Sequence, residues 1–154
     1  MRATTTDTSA FRLTATLLTA ALLAGIAEAV TEQSVSYAKD REQFGQPIGG
    51  FQAVKHRCAD MATRAEVANG QLVYAALAVR DGRPDAAFHA HAARVVAAQG
   101  AIANAQINIQ NHGGIGFTWE HTAHRFLTKA RVVANCLGTT ASHQAQLLAE
   151  PAPA

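Results

Sequence analysis

The sequence predicts an all-α fold, an antiparallel four-helix bundle with a short extra C-terminal helix. Hydrophobic residues make up 49% of the 154 residues and aromatic residues only 6%, so helices are expected to pack closely through small side chains. Long segments carry apolar residues at helical spacings of three and four. Gly- and Pro-containing breaks separate these segments, and neither an alternating strand pattern nor an internal repeat is present. A chain of this length is expected to form one domain over residues 1–154.

The first helix is predicted from about Leu13 to Arg41. Its apolar run ends in a small-x-small pattern at Ala27 and Ala29, which also resembles a secretory signal. Charged residues continue beyond that point at near-helical spacing, as one exposed stripe of a single helix would. A core helix is therefore the preferred interpretation, and a signal peptide is the minority one. Thr and Glu interrupt the run too often for a membrane span.

The second helix has the clearest pattern, because nine apolar positions alternate spacings of three and four without a miss. They are Phe51, Val54, Cys58, Met61, Ala65, Ala68, Leu72, Ala75 and Val79. The Gly and Pro of residues 44–47 separate this helix from the first. Residues 80–85, RDGRPD, form the next turn, where Asp85 is placed to cap the third helix.

The third helix, predicted from about Asp85 to Asn111, is apolar on more than one side. It is therefore expected at the centre of the bundle. The glycines of residues 112–117, HGGIGF, are typical of a left-handed cap that ends a helix. Two more helices and two frayed ends complete the prediction: Trp119 to about Asn135, Thr140 to Glu150, and the ends 1–12 and 150–154.

Charge and cysteine content exclude several classes of function. The net charge is only +2 and no segment concentrates Lys and Arg, so neither a nucleic acid nor a membrane surface is an expected partner. Cys58 and Cys136 lie in apolar helical patterns without metal-type spacing, which predicts buried free thiols in a reducing, cytoplasmic location. His121 and His124 share a helix face beside Glu120, but no third ligand is apparent, so no metal site is predicted.

Two breaks between helices contain residues suited to ligand binding. Arg41 beside Phe44 is either a cation that extends to solvent next to an aromatic plug, or an anion clamp next to a stacking ring. Gly113 and Gly114 would let the backbone approach a planar or phosphate-bearing ligand closely. No strand precedes these glycines, so neither a Rossmann fingerprint nor a P-loop fits.

The sequences of the two breaks together are more specific for one protein family than either sequence alone. REQFGQPIGGFQAVKHRCADM, residues 41–61, and QNHGGIGFTWEH, residues 110–121, resemble the C-terminal domain of the acyl-CoA dehydrogenase family. The resemblance extends from about Leu17 to Leu148. Members of this family are flavoenzymes that oxidise acyl-CoA thioesters to the α,β-enoyl form. Their FAD lies between domains, and the C-terminal domain of a neighbouring subunit holds its adenosine end.

The resemblance implies FAD as cofactor and a set of residues that contact it. The implied contacts are Arg41 and Phe44 at the pyrophosphate and adenine region, Gln52 beside them, Gln110, Gly113 and Gly114 in the glycine loop, and Thr139 near the flavin. The chemistry suits these positions. Guanidinium donors match a pyrophosphate, and a backbone without side chains lets a nucleotide lie close.

The catalytic base of the family has no counterpart in this chain. The reaction removes a proton next to the thioester, which requires a carboxylate within reach. In most members this is a Glu immediately before a Gly-Thr pair, and the matching position here is Leu137. Some members carry the Glu on the first helix instead, where this chain has Ala15. No catalytic residue is therefore predicted in this chain.

The resemblance also implies an assembly. Family members carry an N-terminal helical domain and a middle β-domain, and this chain matches neither. It is expected to act on acyl-CoA only through an assembled enzyme, as part of a longer gene product or as a homo- or hetero-oligomer with other acyl-CoA dehydrogenase subunits. The alternative is a catalytically inactive helical module that serves assembly and binds no flavin.

Overall fold

The computed structural model describes residues 8–150, and these residues form an α-helical bundle with one small hairpin. The elements are α1 (Thr8–Asp40), β1 (Glu42–Gln43), β2 (Gln46–Pro47), α2 (Gln52–Arg80), α3 (Ala86–His112), α4 (Ala123–Val133) and α5 (Thr140–Ala149). Short 3₁₀ segments precede α2 and follow α3. The predicted all-α fold class is confirmed. The parts of the predicted frayed ends at 1–7 and 151–154 lie outside the described residues.

α1 is a core helix, as the preferred interpretation of the sequence predicted. One of its faces is completely buried against α2 and α3, through Ala20, Leu23, Ala24, Ala27 and Val30. Residues 8–12, predicted to be frayed, are part of the helix. Contrary to the sequence-based expectation, α1 is long and apolar enough by length and composition to cross a membrane. Core helices pass the same test, and the buried face of α1 belongs to the shared core.

The apolar pattern of α2 is confirmed by its burial. Each of the nine positions that define it is buried or half-buried. α2 returns antiparallel to α1, and the two helices are packed against each other and against α3. The three long helices thus share one core, in which most of the completely buried side chains are alanines. Such small side chains let the helix axes approach closely.

α3 is the central helix, because it contacts all the other α-helices of residues 8–150. Its buried surface also carries three asparagines at helical spacing: Asn104, Asn108 and Asn111. We call these three residues the asparagine ladder. An amide buried without partners is costly, and each ladder amide donates hydrogen bonds to a neighbouring helix.

The asparagine ladder joins α3 to both α1 and α2. The side-chain amide of Asn104 donates to the carbonyl oxygen of Met61 at 2.8 Å and to the hydroxyl of Thr31 at 3.2 Å. The Asn111 amide donates to the Ser34 hydroxyl at 2.7 Å. These directional bonds fix how far along its axis each helix lies relative to α3.

α4 is shorter than predicted. It begins at Ala123 because the His121 ring nitrogen Nδ1 accepts the backbone N–H of Ala123 at 3.2 Å, which caps the helix at that point. Trp119 lies in the preceding bend, and 84% of its surface is exposed. The sequence favours a core or an interface anchor at Trp119, and of these two roles the exposure contradicts the core one.

Two local predictions also need correction. Asp85 precedes α3, but its side chain makes no capping bond. Its carboxylate instead accepts two hydrogen bonds from the Arg83 guanidinium, at 2.8 and 2.7 Å, which hold the pKa of Asp85 down at about 2. Both cysteines are free thiols, as predicted, but Cys58 is half-buried and Cys136 is exposed. Cys136 is exposed because it follows the last turn of α4 instead of lying within a buried helix.

We expect Asn104→Ala to lower the free energy of unfolding by about 1–3 kcal/mol, because it removes buried hydrogen bonds to two helices and leaves a void. Urea unfolding followed by circular dichroism measures this change. Asn135→Ala is the matched control, since Asn135 is exposed and its side chain bonds only to the Arg131 carbonyl, one turn earlier in the chain. An equal effect of the two substitutions would show that the ladder does not stabilise the bundle.

Candidate functional site

The residues singled out by the sequence lie at two ends of the bundle. At the hairpin end, defined by residues 41–52 and 110–117, α1 and α3 finish and α2 begins. At the cavity end, defined by residues 9–16, 87–91 and 137–150, α1 and α3 begin and α5 packs against α3. The two ends are about 40 Å apart along α1, at 1.5 Å per helical residue.

A tight hairpin presents Phe44 to solvent. Phe44 and Gly45 form its two-residue turn with φ values of 55° and 78°, the positive pair that a type I′ turn requires. Gly adopts this conformation freely, but Phe rarely does. The Phe44 ring is 91% exposed and makes an edge contact with Phe51, at 6.0 Å between ring centroids. The sequence did not reveal this hairpin, because its strands are only two residues long and Phe-Gly is an unusual pair for such a turn.

Arg41 begins this hairpin and is exposed. Its backbone N–H donates to the Tyr37 carbonyl at 2.9 Å, and its carbonyl accepts the Ile48 N–H at 2.8 Å. Among residues 8–150, no carboxylate forms an ion pair with the Arg41 guanidinium. Gln52, also exposed, is the first residue of α2. The hairpin thus holds an unpaired cation, an exposed ring and an amide close together in the chain.

The glycine loop leaves its backbone open to solvent. Gly113 ends α3 with φ 63° and ψ −140°. The positive φ explains why a glycine stands here, but this ψ lies outside the left-handed helical region, so the predicted left-handed helix cap is wrong. A methyl group built on Gly113 or Gly114 would meet no atom within 4 Å, so a ligand has room to approach this backbone. Gln110 is exposed on the last turn of α3.

His112 connects the hairpin to the glycine loop. Its ring stacks on Tyr37, one turn before Arg41, with 4.2 Å between ring centroids. Its Nδ1 lies 2.7 Å from the carbonyl oxygen of Asn108, and this contact holds the buried ring against its own helix. The sequence favours ligand contact or a helix cap for His112, but the residue that caps α3 is Gly113, whose backbone N–H donates to the Gln110 carbonyl. Burial lowers the pKa of His112. The structure therefore brings both breaks to one end of the bundle. Their candidate ligand-binding residues are exposed there, except that Gly113 is half-buried.

The seventh candidate residue, Thr139, lies at the cavity end. Its hydroxyl accepts the Ser142 N–H at 3.2 Å and caps α5. Beside it is a cavity of about 780 Å³ whose lining includes both Leu137 and Ala15. The two positions at which the resemblance expects a carboxylate base thus lie in one cavity, and both are apolar.

A buried arginine that the sequence analysis missed holds the cavity end in place. Arg94 is fully buried on α3, and its Nη2 donates to the carbonyl oxygens of Val133 at 2.8 Å and Cys136 at 3.3 Å. Its Nε donates to the Thr19 hydroxyl at 3.1 Å. A cation is stabilised by the carbonyls at a helix C-terminus, although burial lowers the pKa of Arg94. The sequence did contain a sign of this role, because Arg94 is a charged residue within the alanine-rich stripe of α3.

A histidine pair that the sequence did not reveal also lines the cavity. The Nδ1 atoms of His91 and His143 lie 3.0 Å apart, and His143 is 1% exposed. Burial, followed by the positive charge of Arg94, lowers the pKa of His143 to about 4. The pair was missed because 52 residues separate its members in the sequence. In residues 8–150, no group of three or more His, Cys, Asp or Glu side chains is arranged to hold a metal ion.

The helical bundle of this chain, with a hairpin and a glycine loop at one end, has the architecture of a known class of domain. Residues 9–151 match the model for the C-terminal domain of acyl-CoA dehydrogenases. The chain belongs to the acyl-CoA dehydrogenase family.

Individual relatives agree with this assignment. The chain is 50% identical over 129 residues to acyl-CoA dehydrogenase FadE34 of Mycobacterium tuberculosis, which covers 82% of this chain and 18% of that protein. The structure of butyryl-CoA dehydrogenase from Megasphaera elsdenii superposes with a TM-score of 0.83 at 30% identity, over 87% of this chain and 35% of that one. The structure of PigA with FAD and proline has a TM-score of 0.85 at 27% identity, over 90% and 36%. The chain therefore spans only about a fifth to a third of the length of these relatives.

We expect Phe44→Asn to raise the free energy of unfolding by on the order of 1 kcal/mol, because Asn tolerates the left-handed backbone that strains Phe. Thermal and urea unfolding measure the change. Phe117→Asn is the control, since Phe117 is also exposed and has no positive φ. A loss of stability in Phe44→Asn would show that the ring contributes more packing than strain.

The histidines make stability depend on pH. The folded pKa of His143, at about 4, is below the ordinary value of 6.5, and burial also lowers the pKa values of His91 and His112. The unfolded chain therefore binds more protons between these values, so stability should fall as pH drops from 6.5 to about 4 and level off above 6.5. Urea unfolding over this range measures the slope. His143→Phe should flatten it, and an unchanged slope in that variant would contradict the assignment.

Proposed function

We propose that this chain is the FAD-binding and subunit-association domain of an acyl-CoA dehydrogenase assembly that desaturates an acyl-CoA thioester. One observation supports this above all: the hairpin and the glycine loop lie at the same end of the bundle, and both leave room for a ligand from outside, at the exposed Phe44 and at Gly113 and Gly114. If the two breaks lay at different ends of the bundle, or were buried in its core, they could not bind one ligand together. The redox activity belongs to the assembly, in which FAD supplies the acceptor for hydride.

The groups at the hairpin end fit the parts of FAD. The unpaired guanidinium of Arg41 suits a pyrophosphate, and the exposed Phe44 ring offers a flat face to an adenine. The open backbone at Gly113 and Gly114 leaves space for a nucleotide, with the amides of Gln52 and Gln110 nearby as hydrogen-bonding groups. These groups are all accessible to a ligand outside the bundle, which agrees with FAD held at a junction between subunits.

Thr139 is proposed to meet the flavin of another FAD molecule, because it lies at the opposite end of the bundle. Each chain would then contact two cofactors, one at each end, and subunit association would be required for complete cofactor sites. The subunits that complete these sites are proposed to be other acyl-CoA dehydrogenase chains. A cytoplasmic location is also proposed, since both cysteines are free thiols.

A second candidate is a helical assembly module that has lost catalysis and binds no flavin. Leu137 and Ala15 favour it, because neither can accept a proton and both line the cavity. The visible absorption spectrum of the chain, purified with and without its partner subunit, separates the two. Flavin bands that need the partner support the first candidate. The complete absence of flavin with the partner present supports the second.

In the assembly, we expect Arg41→Gln to weaken FAD binding about tenfold, as for the loss of one charge-assisted hydrogen bond. Titration of the apo-assembly with FAD, followed by flavin fluorescence, measures the affinity. Arg131→Gln is the control, because Arg131 is an exposed cation in the last turn of α4, away from the hairpin end. Equal affinities in the two variants would remove Arg41 from the cofactor site.

A further inference from the structure

A groove lies between α2 and α3, midway along both helices and away from the two ends of the bundle. Its volume is about 290 Å³, at the lower limit for small-molecule sites. Apolar side chains line it: Val67 on α2, and Val96 and Ala103 on α3. Val67 is 55% exposed, so the groove has apolar surface that a ligand would cover. A volume of this size admits only a compact ligand.

One basic side chain supplies the only charge among the described residues that line the groove. This residue is Arg64, which lies on α2 and is half-buried. Its Nη1 is buried and makes no hydrogen bond. A buried donor of a charged group is costly without an acceptor. An acceptor placed in the groove would therefore stabilise Arg64.

The charge of Arg64 is not balanced by an ion pair within residues 8–150. Asp60 lies one turn earlier on the same helix, at a spacing where opposite charges often pair. The exposed Asp60 does not form this pair, and Arg64 lines the groove instead. The guanidinium is therefore available to an anion from outside the chain.

Among anions, the lining favours a carboxylate. The planar fork of a guanidinium matches two carboxylate oxygens, so Nη1 and a second N–H of Arg64 can each donate to one oxygen. A phosphate carries more charge and more acceptor oxygens, but these lining residues include no second cation. The Thr63 hydroxyl already donates to the Ala59 carbonyl at 3.0 Å, which leaves Gln99 as the one neutral side-chain donor of this lining.

We propose that the groove between α2 and α3 binds a compact organic carboxylate, whose oxygens accept hydrogen bonds from the Arg64 guanidinium and whose apolar body packs against the two valines. This goes beyond the proposed function and requires neither FAD nor a partner subunit. A failure of flavin binding at the hairpin end would leave it intact, and its own failure would leave flavin binding intact.

Three ligands of nearly the same shape test the proposal on the purified full chain: the anion benzoate, neutral benzamide and the cation benzamidine. The ¹H–¹⁵N signals of the Arg64 side chain and of the Gly100 backbone, which also lines the groove, report binding at this place. Benzoate should shift both signals saturably and bind about tenfold more tightly than benzamide, as for a hydrogen bond to a charged group. Absence of a saturable shift at Arg64, or equal or tighter binding of benzamide or benzamidine, overturns the proposal.

A charge-removing variant tests the role of the guanidinium. Arg64→Gln should bind benzoate about tenfold more weakly, measured at the Gly100 signal, because it loses the charge and the fork of donors. Arg57→Gln is the matched control, since Arg57 is an exposed arginine of the same helix and does not line the groove. It should bind as the unsubstituted chain does. Equal affinities in the two variants overturn the proposal.

A groove-filling variant tests the place of binding. Ala103→Leu occupies the groove without replacing Arg64, and Ala103 is only half-buried. It should abolish benzoate binding while the thermal unfolding of the chain and the ligand-free Arg64 signal persist. Retained binding in this folded variant would place the ligand elsewhere and overturn the proposal.

Discussion

The position of α1 along α3 is the constraint on which both ends of the molecule depend. The core is rich in alanine, and such small side chains interlock weakly, so packing alone resists sliding between helices only weakly. The asparagine ladder opposes such sliding, because each side-chain NH₂ group donates hydrogen bonds to specific partners on α1 or α2. A slip of one helical turn, about 5.4 Å, would leave these buried amides unpaired. It would also separate Tyr37 from His112, and with them the hairpin from the glycine loop.

The cavity end depends on a second buried polar group. Arg94 reaches from the central helix to the carbonyl oxygens of Val133 and Cys136, at and beyond the end of α4. It therefore determines where the chain leaves α4 and enters the loop that holds Leu137. A buried cation is costly without compensation, and here the compensation comes from helix carbonyls. Burial and then this charge lower the pKa of His143, so the arginine that positions the loop also adds to the preference of His143 for its neutral form.

The sequence predicted those parts of the fold that depend on a repeated spacing of apolar residues within one helix. The apolar spacing of α2 and the broad apolar surface of α3 follow from a regular period, so burial could be inferred from neighbouring positions alone. The start of α4 was predicted too early, because the His121 side chain accepts the Ala123 N–H where the helix begins, and no periodicity reveals such a contact. The His91–His143 pair joins residues from separate helices and depends on the register between them, so no local pattern contains it. Arg94 was detectable as a charge within an alanine stripe, but its partners were not.

The backbone at Leu137, in the cavity end, is strained. Leu137 has φ 63°, a conformation that costs a non-glycine residue on the order of 1–3 kcal/mol. Such strain persists only where the surroundings impose it, and here Arg94 holds the Cys136 carbonyl on one side while Thr139 caps α5 on the other. The loop therefore keeps its shape even though the side chain it presents has no acid–base chemistry. The contacts on both sides of Leu137 therefore account for its strained backbone, and no acid–base role of the side chain is needed to explain it.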